Sequence, residues 1–189
     1  LVVSDDLRTE LVRKSIHMLI GLVPALASLA GTSVALALLT AGTLFYTWAE
    51  YQRNHGRAVF LVSRLTAVAA RTRDQDRFVL GPVTLALGAM ISLLLYPEPA
   101  AAIAIYALAF GDGVSSLIGK AVGDIRLPFT GGKTLEGSLA CFLAVFASSA
   151  AVTNRISESL AIAIGATVLE MLPLRDLDNM LLPVGTGFI

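Results

Sequence analysis

One cysteine, no net charge and little charge of either sign set the first limits on this chain. Cys141 is the single cysteine among 189 residues, which excludes an internal disulfide and any cysteine-built metal cage and leaves it a packing role. Lys plus Arg and Asp plus Glu both total 14, so no global excess points to nucleic acid, and partners must be argued from local sites. Repeats of solenoid period and low-complexity tracts are lacking as well. The chain starts on Leu1 with a charged stretch, so no cleavable signal peptide is read, and trimmed ends are expected. What fills the chain is apolar. At 56% hydrophobic and 15% charged, it exceeds what a soluble domain of this size needs and reads as one membrane-embedded domain, residues 1–189.

A membrane span needs about 20 apolar residues to cross about 30 Å of hydrocarbon. Six stretches approach that length: 16–30, 33–49, 78–96, 100–118, 135–152 and 159–174. The first two are separated only by Gly31 and Thr32, as in a tight hairpin, and Pro97, Glu98 and Pro99 force a turn after the third. A shorter run, 180–189, reads as part of a seventh span cut short. The expected fold is an all-α integral membrane bundle of six to seven transmembrane helices. With the N-terminus inside, thirteen of the fourteen Lys and Arg residues fall on one face and only Arg155 on the other; the opposite orientation would violate the positive-inside rule. Between the second and third spans, Arg53, Arg57, Arg64 and Arg71 recur at helical spacing opposite Ala58, Val62, Leu65 and Ala69. That pattern predicts one interfacial amphipathic helix lying on anionic lipid.

The polar residues that remain are gathered near the cytoplasmic rim. Asp112 sits inside the fourth span between Gly111 and Gly113, and an intramembrane carboxylate is by default a functional group. The segment 119–138 then supplies Lys120, Gly131, Gly132, Lys133, Thr134, Glu136, Gly137 and Ser138. Glycines let the backbone fold around an anion and lysines supply the countercharge, so this reads as a polyphosphate cradle. It is no Walker loop, because Leu127 stands where the first glycine is required and no strand precedes it. Glu10, Arg13, Lys14, His17 and Gly21 recur at threes and fours on one helical face. Asp178 and Asn179 lie beyond the sixth span and Glu170 about two turns earlier within it; these acids can hold a divalent cation, or Asp178 and Asn179 cap the next helix. The topology brings all these groups to one membrane face, and together they suit a nucleoside triphosphate and a second substrate drawn from the bilayer.

The ordered set Glu10, Arg13, Lys14, His17, Gly21, then Asp112, Gly119, Gly123, then Lys133, Thr134, Glu136, Gly137, Ser138, and finally Asp178, Asn179 and Pro183 resembles the polyprenol kinase family. That family includes dolichol, phytol and farnesol kinases and a CTP-dependent diacylglycerol kinase. The resemblance implies transfer of the γ-phosphoryl group of CTP to a lipid alcohol with Mg²⁺ or another divalent cation. It also implies a triphosphate site at 133–138, with Arg13, Lys14 and His17 facing it. Asp112 and Asp178, with Asn179 beside the latter, become candidates for holding the metal or deprotonating the alcohol; Asp112 is favoured over His17 as base, and Lys133 is expected to be essential. A phosphatidate cytidylyltransferase would need a similar cradle. A small transporter would instead spread its acids through the membrane's depth, whereas the external loops here offer only Glu98, Arg155 and Glu158. The sequence leaves the identity of the alcohol and the oligomeric state open.

Overall fold

A computed structural model describes residues 5–57, 59–69, 77–174 and 177–189. Its helices follow from the apolar runs and their punctuation. Helix α1 (Asp5–Met18) passes through a 3₁₀ turn, Leu19–Leu22, into α2 (Val23–Ala30). The turn precedes Pro24, which cannot donate to the carbonyl four residues back and so loosens the helix there. Gly31, at φ 95°, ends α2 and admits the hairpin into α3 (Thr32–Asn54). Helix α4 (Phe60–Ala69) follows, then α5 (Gly81–Leu95), which starts on Pro82 and stops ahead of Pro97.

The central span consists of α6 (Ala100–Tyr106), a π-helical segment, Ala107–Asp112, and α7 (Gly113–Val122). Helix α8 (Leu135–Thr153) is capped by Thr134 and closed by Asn154 in the left-handed region, leading into α9 (Ile156–Met171) and α10 (Asp178–Phe188). Four stretches, Leu7–Ala30, Thr32–Asn54, Ala100–Val122 and Leu135–Thr153, are long and apolar enough to cross a membrane. Helices α5, α9 and α10, at 15, 16 and 11 residues, reach about 22, 24 and 17 Å, short of a full crossing on their own. The all-helical membrane bundle read from the sequence therefore holds, with four full-length helices among the described residues and shorter apolar ones packed among them.

The most buried of the four is Ala100–Val122, which packs against α1, α2, α5, α8 and α10. One apolar cluster joins Val23, Ala89, Leu93, Ile105 and Leu108; a second joins Ala107, Cys141, Val145, Ala166 and Leu182. Cys141 is a packing residue, as expected. Small residues set the spacing, since lipid-embedded helices gain most from close backbone approach. A side chain at Gly88 would run into the Asn179 carbonyl, and one at Gly111 would meet Val145 at 2.9 Å.

The single amphipathic helix expected between the second and third spans is not formed as one element. Helix α3 runs on to Asn54 because buried Glu50 is held at its end, bonded twice by Arg53 (2.8 and 2.6 Å) and by the Val79 amide (2.9 Å). Arg53 thus belongs to α3 and Arg57 to the loop, while Arg64 lies on the ten-residue α4 against α1 and α3. Leu65 is exposed on α4, next to Arg64. Ala58 and Arg71 lie outside the described residues.

Candidate active site

The site begins with the face of α1 that the threes and fours define. Glu10, Lys14 and His17 are all buried there, against the central span. Lys14 donates to Asp112 Oδ2, and His17 Nε2 lies 3.3 Å from the same oxygen. His17 Nε2 is also 2.9 Å from the Leu108 carbonyl. A carbonyl only accepts, so Nε2 carries the proton and donates. Leu108 and Asp112 belong to the π-helical segment, and such segments recur at functional sites. His17 therefore ties that irregular turn to α1 and fixes where Asp112 stands.

The 119–138 segment is a short hairpin whose arms meet through Leu127 N to Lys133 O (2.9 Å) and Leu135 N to Ile125 O (2.8 Å). Gly131 and Gly132, at φ 73° and 99°, turn it back toward the bundle. Gly123 packs on Thr134, and a side chain at Gly137 would come within 2.8 Å of the Ser115 carbonyl, so α7 and the start of α8 meet backbone to backbone. The first amides of α8 are taken up internally: Leu135 N by Ile125 O, and Gly137 N by Thr134 Oγ1 at 3.2 Å. Anion recognition here falls to side chains more than to the helix end.

Lys133 crosses to the end of α9. Its Nζ lies 2.9 Å from Glu170 Oε1 and also donates to the Glu170 carbonyl. Ser115 Oγ donates to the same Oε1 at 3.2 Å. On the other flank, Lys120 Nζ meets Glu10 Oε2 at 3.1 Å, and Arg13 pairs with Glu10 Oε1. Three ionic clusters thus ring one cavity of about 970 Å³: Lys14–Asp112–His17, Lys133–Glu170 and Lys120–Glu10–Arg13. Buried Ser138 Oγ and Glu170 Oε2 have no hydrogen-bond partner among the described residues.

The cavity collects the site residues read from the sequence. Arg13, Lys14, Asp112, Lys120, Gly131, Gly132, Lys133, Thr134, Gly137, Ser138, Asp178 and Asn179 all line it. Asp112 and Lys133 therefore share one end of the bundle. His17 and Glu136 stand behind the wall. The Glu136 carboxylate turns back to accept from Ile125 N at 3.3 Å, bracing the hairpin. Asn179 directs its amide nitrogen to Thr84 Oγ1 at 3.0 Å, which bolts α10 to α5. Asp178, at the head of α10, is pushed up to about 6, by burial first and then by the nearby charge of Asp112.

Glu170, an acid expected from the sixth span, lines the cavity too, whereas Arg77, Ser115 and Ser116 escaped the sequence reading of the site. The serines follow Asp112 by three and four residues on one helix, so a signal existed for those two. Arg77 had none. It is placed by the Glu50–Arg53 pair, because Arg53 also donates to the Arg77 carbonyl at 2.8 Å.

The donor set was compared with what a divalent cation needs. No three His, Cys, Asp or Glu side chains gather as a cage among the described residues. Asp178 lines the cavity without an ion-pair partner among those residues, and Asp112 Oδ1 has only Ser116 Oγ at 3.5 Å. One or two carboxylates completed by phosphate oxygens and water is how Mg²⁺ is commonly held, so the residues fit a cation that arrives with its nucleotide.

No family model matches the chain, and no solved structure matches it. Curated proteins do. A protein named probable phytol kinase, chloroplastic, from Triticum aestivum is 24% identical, with 72% of this chain and 51% of that protein aligned. The protein of the same name from Zea mays is 24% identical over 71% of this chain and 50% of its own length. The resemblance to the polyprenol and phytol kinase family holds. Probable phytol kinase 2, chloroplastic, from Glycine max is 27% identical over 58% of this chain and 44% of its own. The chain spans about half the length of the curated relatives it matches.

Proposed function

We propose that the chain is a lipid-alcohol kinase that transfers the γ-phosphoryl group of CTP to an isoprenoid alcohol or a similar membrane alcohol at the cytoplasmic face. The observation that carries this reading is the convergence of Arg13, Lys14, Lys120 and Lys133 with Asp112 and Asp178 on one cavity at the end of membrane-length apolar helices. The phytol kinase relatives support the acceptor class, and the positive-inside distribution supports the orientation. CTP as the nucleotide rests on the family resemblance.

Phosphoryl transfer demands positioning and charge neutralisation more than covalent help. Lys120, Lys133 and Arg13 would hold the phosphate oxygens, and Ser138 Oγ supplies a buried hydroxyl. A bound divalent cation, held by Asp178 and the free side of Asp112, would neutralise charge on the transferring phosphates. Asp112, paired with Lys14 and oriented through His17, accepts the hydrogen bond of the lipid hydroxyl and its proton as the new P–O bond forms. The bridging oxygen leaves with CDP, so lipid–OH plus CTP gives lipid phosphate, CDP and a proton.

The test is purified protein in nanodiscs with γ-labelled CTP, Mg²⁺ and a panel of alcohols including phytol, farnesol, a polyprenol and diacylglycerol, with phosphatidate as a further acceptor. Label should enter one lipid. Label released as pyrophosphate with a CDP-lipid formed would replace this reading with a cytidylyltransferase, and no turnover with any alcohol would remove it.

A further inference from the structure

The 125–135 hairpin carries a feature that the nucleotide site does not use. Phe129, at its tip, is 97% exposed and sits at φ 62°. A bulky residue in that region is an outlier, and such strain persists only where the surrounding structure imposes it. Here the frame is imposed by the two cross-arm backbone bonds and by Thr130 Oγ1, which donates to the Leu127 carbonyl at 2.9 Å. The next residues, Thr130 to Lys133, line the cavity. One turn therefore shows a polar side to the site and an aromatic ring to the outside.

That ring extends a larger apolar surface. On α7, Ile118 and Val122 are exposed one turn apart; on α8, which packs against it, Leu135, Leu139 and Leu143 are exposed one turn apart. Exposed Ile125 joins the two, since its carbonyl bonds to Leu135 N. Helix α8 is long and apolar enough to cross a membrane, so hydrocarbon is what covers its leucine stripe. The stripe runs without a break to the base of the hairpin. An aromatic ring at the boundary between headgroups and chains is the usual interfacial anchor.

We propose that this hairpin is a membrane-inserting wedge, with Phe129 and Ile125 seated in the leaflet surface beside the cavity mouth. The four steps from Ile125 to Phe129 span at most about 14 Å, so both side chains can lie in or beside the interfacial layer of about 5–7 Å. Its partner is the lipid surface itself, and its use in guiding a lipid alcohol to the cavity rests on the kinase reading, whereas insertion does not.

Trp48 is the only tryptophan, so Phe129→Trp in a Trp48→Phe background gives one reporter at the tip. In nanodiscs its emission should be blue-shifted and should lose intensity when the lipids carry brominated chains. Emission of a fully hydrated indole, unaffected by brominated lipid, overturns the proposal. A blue shift insensitive to bromine and lost on dilution also overturns it, because a second copy would then cover the ring. A nitroxide on Phe129→Cys gives an independent reading, since native Cys141 is fully buried; accessibility to dissolved oxygen above that to a water-soluble nickel chelate is expected, and the reverse refutes insertion. Neither readout needs turnover, so a failed kinase assay would leave it standing.

Discussion

Lys133 is committed to Glu170 before any phosphate arrives, and that competition gives the sharpest prediction. At 2.9 Å, two unit charges attract by about 6 kcal/mol at an effective dielectric of 20. Glu170 is 5% exposed and Lys133 24%, so the lysine keeps some hydration and the net value is smaller, about 2–3 kcal/mol by comparison with broken buried pairs. A triphosphate must replace that attraction or share the lysine with it. Glu170→Gln keeps the shape and an acceptor while removing the competing charge. Nucleotide affinity should then rise about tenfold, equivalent to about 1.4 kcal/mol, while unfolding stability falls by the 2–3 kcal/mol already given. Lys133→Ala should instead lower affinity by about 10- to 100-fold, the worth of one or two charge-assisted hydrogen bonds. Titration of fluorescent CTP against protein in nanodiscs measures both. If Glu170→Gln binds no tighter and Lys133→Ala binds as well as the parent, Lys133 is a structural tie and the phosphate assignment fails.

Substitutions at five other positions test separate parts of the site. Asp112→Asn should cost about 100-fold or more in kcat with nucleotide affinity within about threefold, and unchanged turnover would return Asp112 to a structural pair with Lys14. Glu50→Gln, distant from the chemistry, should weaken the hold on Val79 and Arg77, lower stability by about 3 kcal/mol and raise the nucleotide KM through Arg77; a KM equal to the parent's, with Arg77→Ala also silent, would exclude Arg77 from the site. Asp178 holds its proton up to a pH of about 6 in the fold against an ordinary 3.8, so the metal-free protein loses stability as pH rises between those values, and cation affinity falls about tenfold per unit below the upper one. Asp178→Asn should abolish both dependences, as read by thermal melts with and without Mg²⁺. His17→Gln, which retains a donor for Leu108, should keep far more activity than His17→Phe; equal loss in both, with an acid limb missing from the pH profile, would make His17 the base after all.

Much of this was legible because a membrane simplifies the grammar. Gly31, Pro97 and Asn154 punctuate runs whose apolar length already fixes their direction, and Glu10, Lys14 and His17 declare a shared face by spacing alone. The Gly119, Gly123 and Gly137 contacts with Thr134 and Ser115 explain why glycine is needed at those positions: they let two helices meet at the site. What stayed hidden depends on contacts far apart in sequence. Nothing local says that Glu50 will be buried, will bind the Val79 amide and, through Arg53, will help hold Arg77 at the cavity. Span length misled for a related reason: the run from 78 to 96 counts as apolar, but its first residues are spent on the return from Arg77, leaving a helix of 15.

The arrangement of charge also answers how such a basic cradle exists at the edge of hydrocarbon. Unpaired cations there would be costly, and among the cavity's lysines none stands alone: Lys14 has Asp112, Lys120 has Glu10, and Lys133 has Glu170. The acids come from α1, the central span and α9, so every pair with Lys133 or Asp112 also staples distant parts of the chain. On the kinase reading proposed above, binding a polyphosphate would be an exchange of anions, with carboxylates giving way to phosphate oxygens and a divalent cation taking up the released carboxylate charge. That exchange would make nucleotide and metal binding mutually dependent, because either ligand alone would leave a charge released from the Lys14, Lys120 and Lys133 pairs unmatched, and both together would restore the balance.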